Sequence, residues 1–231
     1  LYMDLKAFKM DGLGNDFVII DNRQKITNLT KKQIIKICDR KFIGCDQLIL
    51  IKKSETSDAY LEFYNSDGGT SGACGNGTRC VADLVMRDLG LTQLSIETDA
   101  GILQSWRAAE NADHIAVDMG PARLAWDEVP LASPADTVAV DLGALAPVTA
   151  VCHSMGNPHA VFRVDSVLDV PVERWGKAVQ AAHVFPDGVN VGFAEVLDRG
   201  NIRLRVYERG VGETLACGSG ACAAAVSLIR Q

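Results

Sequence analysis

No stretch of this 231-residue sequence is both apolar and long enough to cross a bilayer. Runs such as Asp16 to Ile20 and Gln47 to Ile51 have the length of a strand, whereas a spanning helix takes about 20 residues. The amino-terminal residues lack the basic, apolar and small-residue order of a signal peptide, so the expected compartment is the cytoplasm and no membrane partner is expected. Positive charge is in deficit, with 23 Lys and Arg against 29 Asp and Glu. The net charge of −6 argues against a nucleic-acid partner, because gripping a phosphate backbone needs clustered cations. There is no Cys-x-x-Cys pair, and seven cysteines is an odd number, so neither a disulfide framework nor a zinc ribbon fits and reduced thiols are expected. A Gly-rich phosphate loop, a nucleotide fingerprint and a metal-ligand cluster are also missing, and no metal is expected.

What is present is enough apolar material, 48% of residues, to bury the core of a soluble globular protein. Nine of the ten lysines fall within the first 100 residues, and the remainder relies on arginine. Two segments echo one another: Ala73-Cys74-Gly75-Asn76-Gly77-Thr78-Arg79-Cys80 and Ala216-Cys217-Gly218-Ser219-Gly220-Ala221-Cys222, each leading into an apolar helical run. The repeat predicts two half-domains, residues 1–119 and 120–231, parted near Gly120-Pro121.

In the first half, strands are expected at Lys6 to Met10, Phe17 to Asp21, Asp46 to Ile51, Ala59 to Tyr64, Leu94 to Thr98, Ile102 to Arg107 and His114 to Met119. Helices are expected from a Thr30 cap to about Arg40 and from Gly75 to Leu89, the latter closed by Gly90. The second half reads as strands at Thr137 to Asp141, Val148 to His153, His159 to Val164, Asn190 to Glu195 and Ile202 to Tyr207, with helices at Val172 to Ala182 and from Gly218. Strands outnumber helices and do not alternate with them as βαβ units would. The expected fold is α+β, with two pseudo-symmetric domains. Each is a curved, barrel-like mixed sheet around a central helix, and the active site is expected in the cleft between them.

A cysteine just ahead of a helix meets unpaired backbone N–H groups and the positive end of the helix dipole, a setting that lowers a thiol pKa. Glycines directly after it let a substrate approach the backbone and offer amides to an anion. Both repeats have this arrangement. Two acid/base groups on opposite faces are what inversion at a carbon acid requires, one removing a proton and the other delivering one. Cys38, Cys45, Cys80, Cys152 and Cys222 read instead as small packed hydrophobes. A nucleophilic cysteine activated by His159 is an alternative, but it leaves one of the two repeated elements without a role.

The chain resembles diaminopimelate epimerase, a cofactor-independent amino-acid epimerase family of lysine and peptidoglycan-precursor synthesis. The segments that carry the resemblance are Lys9 to Phe17 (KMDGLGNDF), Tyr64 to Gly68 (YNSDG), Cys74 to Cys80, Gly156-Asn157-Pro158-His159, Asn190, and Tyr207 to Thr214 (YERGVGET) running into Ala216 to Gly220. The resemblance implies that Cys74 and Cys217 are the catalytic pair. It further implies that Gly75, Asn76, Gly218 and Ser219 hold the reacting carboxylate, and that His159 and Glu208 adjust thiol protonation. Asn15, Gln47, Asn65, Asn157, Asn190, Glu208 and Arg209 would contact the two amino-acid ends of diaminopimelate. The same resemblance implies a homodimer and no cofactor, and the sequence has no lysine in a recognisable pyridoxal-phosphate setting.

The loop from Arg40 to Gln47 is one residue shorter than the family's glycine-containing loop. Gly176-Lys177 and Gln180 to His183 stand where the family has Gly-Pro and Glu-x-His features. The family continues for a few tens of residues beyond the second helix with strands that complete the sheets, so the chain reads as a shortened member. The rival expectations are a proline or hydroxyproline racemase, a non-catalytic amino-acid-binding relative and a thiol-disulfide redox protein.

Overall fold

The computed structural model describes residues 6–24, 28–72, 74–146 and 148–231; Ala73 of the first repeat lies outside them. The chain divides into two units, Leu1–Asp118 and Met119–Gln231. Among the described residues no helix is long and apolar enough to cross a membrane.

In the first unit, β1 (Ala7–Gly12) and β2 (Asn15–Asp21) form a hairpin turned by Leu13 and Gly14, both at positive φ (62° and 85°). Two left-handed residues match the twist of the flanking strands. Glycine adopts that conformation freely, whereas for leucine it costs about 1–2 kcal/mol. Thr30 caps α1 (Lys31–Cys38): its hydroxyl accepts the Gln33 N–H at 3.3 Å, and the Gln33 side chain accepts the Thr30 N–H at 2.8 Å. There follow β3 (Gln47–Lys52), β4 (Ala59–Asn65), the two-residue β5 (Thr70–Ser71), α2 (Gly75–Leu89), β6 (Gln93–Thr98), β7 (Gly101–Arg107) and β8 (Ile115–Asp118).

The strands lie in the order β1-β2-β3-β4-β6-β7-β8, with β5 beside β4. α2 packs against β1 and β2 as well as β6, β7 and β8, so the sheet curls round it. Contrary to the sequence expectation, helical crossovers do occur. The β2–β3 and β4–β6 pairs are parallel, and a parallel neighbour can be reached only by a long connection, here supplied by α1 and α2. Both faces of the central strands are covered. Phe17, Ile19, Ile49, Ile51 and Phe63 face the α2 core with Val81 and Val85, while Val18, Ile20, Leu48 and Leu50 face Ile34 and Cys38 of α1.

The second unit is a five-stranded sheet, β13-β12-β11-β10-β9, built from β9 (Val151–Ser154), β10 (Pro158–Arg163), β11 (Asn190–Asp198), β12 (Asn201–Glu208) and β13 (Gly212–Thr214). α3 (Val172–Gln180) connects parallel β10 and β11 on one face, and α4 (Gly218–Arg230) packs on the strands from β9 to β12. The α3 face carries the bulk, Phe162, Phe193, Val179 and Tyr207, whereas Ala223, Ala224 and Ala194 line the α4 face with Met155 and Val161. The strand expected at Thr137 to Asp141 is a turn with one isolated bridge, Val140 to Ala150. Asp136 and Asp141 take the Val138 and Gly143 N–H groups on their side chains, which competes with ladder formation there.

α3 lies tight on β12 at Gly176, where an added Cβ would stand 2.3–2.7 Å from the Tyr207 side chain. Gly176→Ala gains about 1 kcal/mol of helix propensity but must displace that ring from a packed core. A net loss of about 1–2 kcal/mol is expected in urea unfolding, and an unchanged midpoint would show that Tyr207 moves freely.

Candidate active site

In the first unit the thiol is placed by the start of α2. Cys74 is the N-cap, in extended conformation (φ −147°, ψ 107°), and its Sγ accepts the Gly77 N–H at 3.5 Å. A short polar side chain is what an N-cap requires, and sulfur fills the role here. Gly75 and Asn76 form the first helical positions; Asn76 is buried and its Oδ1 accepts from Arg79 at 2.7 Å. Gly77 cannot be larger, since a Cβ there would lie 2.7 Å from Ile49 and 3.1 Å from Phe63.

Three of the expected binding residues stand at neighbouring strand ends. Asn15 opens β2, Gln47 opens β3 and Asn65 closes β4. Gln47 and Asn65 are cross-strand partners, and the Gln47 Nε2 donates to the Asn65 Oδ1 at 2.9 Å. The Asn15 Oδ1 lies 3.7 Å from the Cys74 sulfur, in a position to accept its proton.

The second unit repeats the arrangement. Cys217 is the N-cap of α4 (φ −133°, ψ 111°), with its Sγ accepting the Gly220 N–H at 3.3 Å, and Gly218 and Ser219 open the helix. The Ser219 hydroxyl is 3.5 Å from the Cys217 sulfur and 3.2 Å from the His159 Nε2. Asn157 bridges the pair, its Oδ1 2.9 Å from the His159 Nε2 and its Nδ2 donating to the Ser219 Oγ at 3.4 Å. With the proton on Nε2, one chain of donors runs from His159 to Asn157, on to Ser219 and from the Ser219 hydroxyl to Cys217. His159 thus reaches the thiol through Ser219 rather than directly.

The electrostatics depart from the simple helix-start expectation. Burial pushes the Cys217 thiol up to about 11, the Glu208 carboxylate adds to the rise, and the hydrogen bonds from Ser219 and Gly220 oppose it. Desolvation outweighs the helix start, so Cys217 carries its proton at neutral pH. Burial also drives His159 down to about 3, helped by His153 and Arg209, so its imidazole is neutral. His153 on β9 stands opposite His159 in the ladder, ring centroids 6.4 Å apart. Its ring is fully buried, and neither nitrogen has a hydrogen-bond partner among the described residues. It is held down to about 4 by burial and then by Arg230, against a smaller opposing effect of the Ala223 backbone.

The remaining expected residues are partly engaged with the protein itself. The Glu208 Oε1 accepts from the Thr214 hydroxyl at 2.5 Å. Asn190 is buried, donating to the Pro158 carbonyl at 3.1 Å and accepting the Arg209 N–H at 2.9 Å, and the Arg209 guanidinium donates to the Asp187 carbonyl at 2.8 Å. An open depression of about 530 Å3 lined by Val170, Glu173, Lys177, Arg205 and Glu213 shares no residue with either thiol site.

Cys38, Cys45, Cys80 and Cys152 are buried with thiol pKa values raised by desolvation, consistent with packing, whereas Cys222 is half-buried. Two features escaped the sequence reading. One is the charged group Lys9, Asp16, Arg40 and Asp46 around Asn15, signalled only by acids directly adjoining Asn15 and Gln47. The other is His153, whose strand partner no local pattern reveals.

Two mixed sheets with helical crossovers are the fold seen in solved structures of the proline racemase type. The crystal structure of a probable proline racemase from Agrobacterium radiobacter K84, with bound carbonate, is similar at a TM-score of 0.64 and 12% identity, over 98% of this chain and 78% of that one. At the level of sequence, residues 7–125 and 151–231 match the family model described as diaminopimelate epimerase. A diaminopimelate epimerase of Pelagibacter ubique (strain HTCC1062) is 47% identical over 230 residues, covering 97% of this chain and 83% of that protein. Another, from Phenylobacterium zucineum (strain HLK1), is 49% identical, covering 96% and 82%. The chain belongs to the diaminopimelate epimerase family and is an isomerase.

Proposed function

We propose that this chain interconverts LL- and meso-diaminopimelate by a two-thiol mechanism, as a step toward lysine and peptidoglycan precursors, and that Cys74 and Cys217 are its acid and base. The observation that carries the reading is the pair of matched helix starts, in which each sulfur accepts the N–H of the third helical residue. The reading assigns the reacting carboxylate to the first turns of these helices, where the helix start favours an anion and the charge that develops on deprotonation is met at one place. One sulfur, entering as the thiolate, takes the α-proton while the other, entering as the thiol, gives its own proton to the opposite face; the centre is inverted and the two sulfurs end with thiol and thiolate exchanged. Asn15, Gln47, Asn65, Asn157, Asn190, Glu208 and Arg209 supply the amide, carboxylate and guanidinium groups that a double zwitterion requires.

The test is α-proton exchange followed by NMR in D2O under reducing conditions, with LL-diaminopimelate and proline offered separately. Deuterium entering diaminopimelate alone, as the meso isomer appears, is the expected result. Exchange into proline alone would transfer the reading to a proline racemase. Exchange into neither, by a chain shown to be folded, would overturn it in favour of a non-catalytic relative.

A further inference from the structure

The group of charges around Asn15 has a definite chemical sense. The Asn15 Nδ2 donates to the Asp46 Oδ2 at 2.9 Å, and the same oxygen accepts the Asp16 N–H at 3.0 Å. The other Asp46 oxygen accepts from Arg40 at 2.6 Å, and Arg40 also grips both oxygens of Asp16, at 2.6 and 2.8 Å. A carboxylate can only accept, so the pole of the Asn15 amide that faces Asp46 must be its NH2. The opposite pole, the carbonyl oxygen, is therefore the one left toward Cys74, 3.7 Å from its sulfur. A carbonyl can only accept, so it takes the S–H proton. The amide turned over would donate to the sulfur instead and favour the thiolate.

We infer that Asp46 is a positioning residue for the reaction: it selects which pole of the Asn15 amide meets Cys74, and so directs the S–H of that residue at Asn15 whenever the sulfur carries a proton. Arg40 holds Asp46 in turn. The inference rests on the reading of Cys74 as a catalytic thiol and adds the residue that sets its hydrogen bonding. Asp46→Asn is the informative change, because it preserves size while offering either an amide or a carbonyl to Asn15, and the selection is lost.

The measurement is the rate of iodoacetamide alkylation at pH 7.5, read separately for Cys74 and Cys217 by peptide mass spectrometry in one sample. The thiolate is the species that reacts, and one hydrogen bond to the thiol corresponds to about a fivefold change. In Asp46→Asn and Asp46→Ala, Cys74 is expected to react about fivefold faster while Cys217, the internal standard, keeps its rate. A Cys74 rate that is unchanged or slower, or a parallel rise at both cysteines, would overturn the assignment, the last because it reports general loosening. The readout needs no turnover, so it fails or succeeds independently of the epimerase activity.

Discussion

Cys74→Ala and Cys217→Ala are each expected to slow the conversion of LL- to meso-diaminopimelate by at least about 10³-fold, because in the proposed two-thiol mechanism each removes one of the two groups that move a proton in the transition state. Alanine also removes the sulfur that accepts the Gly77 or Gly220 N–H, and loss of a cap costs about 1 kcal/mol of helix stability. Serine separates the two effects. As a good N-cap it preserves or improves the start of α2 or α4, yet its hydroxyl is a far weaker acid than a thiol. Cys74→Ser and Cys217→Ser should therefore unfold at or above the wild-type midpoint while turning over at least about 10²-fold more slowly. Stereospecific conversion followed by chiral chromatography measures the rates, and urea titration measures the fold. Full turnover by either alanine variant would end the two-thiol mechanism. A serine variant that is both fully active and stable would assign the sulfurs a capping role only.

The second large effect is on stability in mild acid. His153 and His159 are both held below the ordinary histidine value of 6.5, to about 4 and about 3, chiefly by burial. The unfolded chain therefore takes up protons first as the pH falls. The stability that depends on their neutrality is complete above about pH 6.5 and is lost progressively as the pH drops toward the folded values. Between pH 7 and pH 5 the pair should remove about 3 kcal/mol from the unfolding free energy of the second unit. This window lies above the range in which ordinary carboxylates titrate. Urea titrations at half-unit intervals, with tryptophan fluorescence as the probe since Trp126 and Trp175 pack on the core of that unit, would record the loss. The double variant His153→Gln, His159→Gln should flatten the acid slope to less than half. An equal slope in the double variant would place the acid sensitivity elsewhere.

How far these sites could be read from sequence depends on the range of the interactions that build them. The start of α2 was legible to the residue, because the extended Cys74, the helical run and the left-handed Gly90 are all local choices. The cap of α1 at Thr30 was legible for the same reason. β5 and β13 were not, being two and three residues long and defined only by their neighbours β4 and β12. The parallel pairings were missed because the alternation within a strand does not reveal which strand lies beside it. The same limit hid His153 beneath His159 and Asp46 beside Asn15, pairs joined by the ladder rather than by any sequence motif. Desolvation was invisible too: the sequence placed Cys217 at a helix start, but its depth reversed the expected sign of the pKa shift.

β2 and β3 are covered on both faces, and this has a consequence for how the first unit finds its native pairing. In a half-exposed strand, sliding by one residue turns apolar side chains to water and is punished at once. Here Phe17 and Ile19 would merely exchange sides with Val18 and Ile20, and Ile49 and Ile51 with Leu48 and Leu50, so the oily residues discriminate poorly between the correct alignment and its neighbour. The discrimination falls to the polar ends of the strands, where Asp46 N–H meets the Asp16 carbonyl, Asp46 grips Asn15 and Gln47 stands opposite Phe17. Asn15, which presents its amide to the thiol, is thus also an alignment mark of the sheet, and a change made at that residue to alter chemistry will produce misaligned molecules alongside slower ones.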